Sequence, residues 1–132
     1  MPKSIQIILI IFLIGSNGAS AVAQEEDFDQ IVKIVKSGNA KELVKKFSAS
    51  VELNINGEEA SYSKSQAEAV LKDFFDKNPP SFFEVSHRGA SKGGLPYAIG
   101  ELKSRSGTYR VWIRLAKTSG QFLVSEMSFI EE

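Results

Sequence analysis

Thr108-Tyr109-Arg110-Val111-Trp112-Ile113-Arg114-Leu115-Ala116 alternates without a break. Tyr109, Val111, Ile113 and Leu115 point one way, and Arg110, Trp112 and Arg114 point the other. Side chains of an extended chain alternate between the two faces of a sheet, so this period of two predicts a strand with an apolar core face and a half-open outer face. Arg105-Ser106-Gly107 and Thr118-Ser119-Gly120 flank it as turns. Alternation resumes on either side, over Phe82 to Ala90, Tyr97 to Ser104 and Phe122 to Ile130, with Lys92-Gly93-Gly94 as the remaining turn. Short glycine turns join sequential antiparallel neighbours, so the C-terminal half predicts a four-stranded meander.

Upstream of the meander the period changes. Ser63 with Gln66 three residues on forms a capping-box pattern. It opens a helix with a wide stripe of Ala67, Val70, Leu71, Phe74 and Phe75, which Asn78-Pro79-Pro80 stops. Before it, Val51, Leu53 and Ile55 alternate with polar residues, Asn56-Gly57 turns, and Ala60 to Tyr62 returns, predicting a hairpin. Phe28, Ile31, Val32 and Val35 give one helical face ending at Gly38. Asn39 then caps a second short helix, with Glu42 placed to reach back to the cap and Leu43, Val44 and Phe47 on its apolar face. The predicted order is ααββαββββ, an α+β fold with helices packed on one face of a strongly curved antiparallel sheet.

This order resembles the nuclear transport factor 2-like superfamily, also called the cystatin-like cone, whose bent sheet wraps the helices and often encloses a pocket. At finer grain the strings Ser37-Gly38-Asn39-Ala40, Ser50-Val51-Glu52-Leu53, Tyr62-Ser63-Lys64-Ser65-Gln66-Ala67-Glu68, Leu71-Lys72-Asp73-Phe74-Phe75, Asn78-Pro79-Pro80, Tyr97-Ala98-Ile99-Gly100 and Gly107-Thr108-Tyr109-Arg110-Val111 are similar to a family of exported bacterial proteins catalogued as domain of unknown function 4783. The resemblance implies that fold and an exported location, and it carries no activity.

The N-terminus reads as a cleavable signal peptide over residues 1–23, leaving a single domain over 24–132. Lys3 supplies a positive start, Ile5 to Ile14 is apolar apart from Gln6, and Ala21-Val22-Ala23 is a small-x-small cleavage site. The apolar run of about 10 residues falls short of the roughly 20 that span a bilayer, so no membrane attachment is expected after cleavage. With no Cys in the chain, disulfides, thiolate metal sites, a cysteine nucleophile and a lipid-anchored N-terminal cysteine are all excluded. The expected location is therefore periplasmic or secreted. Lys plus Arg and Asp plus Glu number 16 each, and the basic residues are interleaved with acids, which argues against nucleic acid as a partner.

Residues able to carry chemistry are few. His87, the only histidine, is the best candidate for an acid or base. It continues the alternation of Phe83 and Val85, which puts it on their face, and its bland reading is a structural or surface histidine. Glu101 shares a face with Tyr97 and Ile99; the competing face of Ala98, Gly100 and Leu102 is equally apolar, and Glu101 is expected to be exposed. The mature Asp residues, Asp27, Asp29, Asp73 and Asp76, fall on helices as surface carboxylates, unlike the sheet-borne acid of the superfamily's ketosteroid isomerases. One histidine without cysteine makes a poor metal site, and no phosphate-binding glycine loop or serine elbow is present, so no cofactor or metal is expected.

Phe74, Phe75 and Tyr97, with Tyr62, Phe82 and Phe83, are candidates to line a ligand pocket between the long helix and the sheet, or simply core. Arg110, Trp112 and Arg114 set an indole between guanidinium groups on the outer face, which suits a homodimer interface, against the alternative of an amphipathic surface ladder. The expectation is a noncatalytic exported module binding a small apolar ligand, or a protein partner such as a second copy or a cell-envelope protein. The alternative is a small lyase or isomerase acting on a hydrophobic substrate through His87 or Glu101, with Tyr62 or Tyr97 as hydrogen-bond donor.

Overall fold

The structure is a computed structural model that describes residues 25–132; the signal peptide and cleavage site expected from the sequence lie outside them. Helix α1 covers residues 25–37. It buries Phe28, Ile31 and Val35, while Glu25 and Glu26 sit at its positive N-terminal end. Gly38 takes a positive φ of 65° and turns the chain into α2, Ala40–Val44. Asn39 caps α2 by accepting from the Glu42 amide at 3.1 Å. The other half of the expected box does not form, because the Glu42 carboxylate turns to Lys45 at 2.8 Å. Hydrogen bonding to Lys45, and then its charge, hold that carboxyl below its ordinary pKa.

The sheet has six strands: β1 Phe47–Ile55, β2 Glu58–Ser63, β3 Pro80–Ala90, β4 Pro96–Ser104, β5 Gly107–Thr118 and β6 Gln121–Glu131, in the order β2-β1-β6-β5-β4-β3. Strands adjacent in sequence pair antiparallel except β2 and β3, which lie at opposite edges, and the one distant pairing, β1 with β6, is parallel. Phe47, expected on the second helix, instead starts β1, where it lies opposite Val124. Residues 45–46 form a turn, so Phe47 is fully buried from the sheet side; sheet pairing overrides a spacing that also fits a helix.

Helix α3, Lys64–Lys77, carries the predicted capping box. Ser63 Oγ accepts from the Gln66 amide and Gln66 Oε1 accepts from the Ser63 amide. It joins β2 at one sheet edge to β3 at the other. Fourteen helical residues span about 21 Å and six strands about 24 Å, so one helix covers the width of a curved sheet. Its buried stripe of Ala67, Leu71, Phe74 and Phe75 meets Leu102, Val111, Ile113 and Phe129 from the strands in one core cluster. Register shifts in β3, β6 and β1 mark bulges or irregularities, which bend strands and give the sheet its curvature.

Candidate functional site

The geometry offers two regions, one on each side of the sheet. On the outer face, away from the helices, Trp112 of β5 stacks on its diagonal neighbour Tyr97 of β4, with ring centroids 4.7 Å apart and planes 21° apart. Tyr97 Oη lies 3.1 Å from His87 Nε2 of β3. The Tyr97 ring leans over Gly89, where a Cβ would stand 2.7 Å from Oη. The Arg114 guanidinium sits 5.5 Å from the Trp112 ring and reaches Glu126 of β6 at 3.1 Å. Contacts among His87, Tyr97, Trp112, Arg114 and Glu126 thus run across four strands.

His87 does not share the face of Phe83 and Val85. Val85 lies opposite Gly100 and His87 opposite Ile99, leaving Ser86 as an extra residue between them. One inserted residue reverses the alternation that follows it, so His87 emerges on the outer face and is exposed. Glu101 is also on that face, half-exposed and 3.7 Å from Lys103. Arg110 is exposed there and pairs with Glu132 at 3.3 Å. Glu52, Glu59 and Glu126 bring carboxylate oxygens within 4.8 Å of one another, but Arg114 already supplies that cluster with a cation.

The second region is a groove of about 530 Å³ between α3 and the β1–β2 hairpin. Leu53, Ile55, Tyr62, Val70, Phe74 and Tyr109 form its apolar lining. Its polar rim comes from Asn56, Glu58, Asp73, Lys77 and Asn78. Asn78 and Tyr109 make a buried polar pair: the Tyr109 hydroxyl donates to Asn78 Oδ1 at 2.9 Å, and Asn78 Nδ2 donates to the Phe74 carbonyl at 3.0 Å. Asn78 therefore ties the last turn of α3 to the start of β5.

Of the pocket candidates, Phe74 and Tyr62 line this groove. Phe75 packs away from it, edge-on to Phe129 and against the turn at Gly38, and Tyr97 belongs to the outer face. Phe83 is core, and Phe82 is exposed beside Lys103. The groove's Asn78–Tyr109 pair was not anticipated. Its sequence signal is a tyrosine among aliphatic core positions of β5, since a buried phenol requires a hydrogen-bond partner.

The family described as Domain of unknown function (DUF4783) matches residues 28–129. Among solved structures, the chain is similar to a DUF4783 family protein from Bacteroides ovatus ATCC 8483, with 29% identity and a TM-score of 0.72 over 77% of this chain and 92% of that one. A second DUF4783 protein, from Bacteroides uniformis ATCC 8492, is 24% identical with a TM-score of 0.73, covering 77% of this chain and 94% of its own. A nuclear transport factor 2-like protein of unknown function from Silicibacter pomeroyi DSS-3 shares 14% identity and a TM-score of 0.63 over 88% of this chain and 98% of its own, which shows the fold alone. No curated protein matches the sequence. The match over residues 28–129 takes in α2, α3 and β1 to β5 in full and most of α1 and β6, and the chain accordingly belongs to the DUF4783 family, with a nuclear transport factor 2-like fold.

Proposed function

We propose that this protein is an exported, noncatalytic binding module that holds a small, largely apolar molecule in the groove between α3 and the β1–β2 hairpin. The observation that carries this reading is the groove itself, apolar along its walls and ended by the buried Tyr109–Asn78 pair. Its volume of about 530 Å³ lies within the roughly 300–1,000 Å³ of small-molecule sites, which combine apolar walls with a few fixed polar groups. The signal-peptide pattern of residues 1–23 supports export. The noncatalytic part is supported by where the acid–base candidates lie. A lyase or isomerase using His87 or Glu101 needs one of them against the cavity, whereas both emerge on the opposite side of the sheet and only Tyr62 borders the groove.

Ala69 lines the groove while remaining exposed on α3, so a larger side chain there blocks it without disturbing the core. Ala69→Trp is expected to weaken binding of a neutral apolar dye such as Nile red by about tenfold or more, at unchanged thermal stability. Equal dye fluorescence in both proteins would place the dye elsewhere and remove the reading.

The outer face favours a second role, as the interface of a homodimer. Its support is the preformed Tyr97–Trp112 stack with the Arg114 guanidinium beside it, since aromatic residues and Arg are enriched where proteins meet. Another envelope protein is the other occupant the face suits. Trp112→Glu is expected to convert a dimer to a monomer in sedimentation; unchanged assembly would remove the interface from this face.

A further inference from the structure

We infer that the ligand of the groove is an amphipathic organic cation, an aromatic or branched apolar body ending in an ammonium group. This rests on the groove reading and adds the chemistry of its occupant. The first observation is charge. Glu58 lines the groove from the β2 side and Asp73 from the α3 side, and the only cationic lining residue among the described residues is Lys77. Lys77 Nζ is 3.0 Å from Asp73 Oδ2, so its charge is already matched. Glu58 has no ion-pair partner among the described residues, which leaves the groove with an excess negative charge.

The second observation is the direction of α3. Phe74, Lys77 and Asn78, which line the groove, form its C-terminal turn and cap. The carbonyl end of a helix carries roughly half a negative charge and favours cations. The third is the lining chemistry. Tyr62, Phe74 and Tyr109 line the space, and aromatic rings attract ammonium groups. Because the Tyr109 hydroxyl gives its proton to Asn78 Oδ1, its oxygen is left as an acceptor, which suits a group that only donates. A carboxylate in the same place would meet two carboxylates and a helix C-terminus.

Three probes of nearly the same body separate charge from shape: phenethylammonium, 2-phenylethanol and 3-phenylpropionate. Each is titrated by NMR into the purified protein, its Glu58→Gln variant and its Ala69→Trp variant at low ionic strength. The expected order is cation over alcohol over carboxylate, with about tenfold between the extremes, a gap that shrinks in added salt. Glu58→Gln narrows that gap, and Ala69→Trp abolishes the response to all three. Equal or reversed affinities for the charged probes, with Ala69→Trp still blocking them, would overturn the cation inference and leave the groove standing. If no probe shifts groove resonances, or if Ala69→Trp changes nothing, the groove reading fails and takes the inference with it.

Discussion

Phe129→Ala is expected to destabilise the domain by about 3–5 kcal/mol. Phe129 is fully buried on β6, opposite Val111 on one side and Ile55 on the other. It meets Phe74 at a centroid distance of 4.6 Å and Phe75 at 6.0 Å. It is therefore where the parallel β1–β6 pairing, the meander and α3 converge. Truncation removes the transfer energy of a buried ring and leaves a cavity that three elements from distant parts of the sequence cannot close together. For a domain whose net stability is about 5–15 kcal/mol, the loss is a large fraction of the whole. Urea unfolding should show a lower midpoint with an unchanged slope, and Phe129→Leu should recover most of the difference. A loss below about 1 kcal/mol would mean that the aromatic cluster is not the hub of the core.

Gly100→Ala comes second. A Cβ at Gly100 would stand 2.7 Å from the Glu84 carbonyl oxygen and 2.8 Å from Phe83 Cε1. The oxygen belongs to the neighbouring strand's backbone and the ring is a fully buried core residue, so neither yields without disturbing the β3–β4 ladder just where the Ser86 irregularity bends it. Removing a glycine ordinarily stabilises by about 0.4–1 kcal/mol through the unfolded chain. Here overpacking, typically about 1–3 kcal/mol, exceeds that gain, so a net loss of about 1–2 kcal/mol is expected in urea unfolding. Unchanged or raised stability would show that β3 can draw back from β4 at this point.

The same irregularity marks where the sequence stops being informative. Residues 108–116 disclose their faces because β5 carries no extra residue, the shift after Arg114 falling on β6 at Ser125, and both its partners are its sequence neighbours. Gly100 is legible as a bend, since a glycine within a strand often marks one. The face of His87 is not, because the extra residue at Ser86 is fixed by pairing with β4, which the alternation of β3 alone does not report. Phe47 fails for a related reason: its spacing from Leu43 and Val44 fits a helix, and the partner that decides its conformation, Val124, lies far along the chain. The pairing of β1 with β6 has no local trace at all.

The groove was half legible. Phe74 and Tyr62 follow from the helix stripe and the hairpin, but which flank of the stripe faces open space depends on how α3 lies over the sheet. That placement separates Phe74, on the groove, from its neighbour Phe75, which turns toward Gly38 and Pro80. Many of the strings that carry the family resemblance serve the fold. Gly38 makes room for Pro80, Ser63 and Gln66 cap α3, and Asn78 bonds Tyr109. Outer-face residues such as Trp112 and Arg114 lie beyond them.

A binding groove would hold its ligand in the protein as the host makes it. Native mass spectrometry of the protein purified gently from that host, beside its Ala69→Trp variant, tests this most directly. The expected result is a retained small-molecule mass that disappears on denaturation, is absent from the variant and is detected in positive-ion mode as an amine. The same adduct on both proteins, or a bare protein in each preparation, would contradict it.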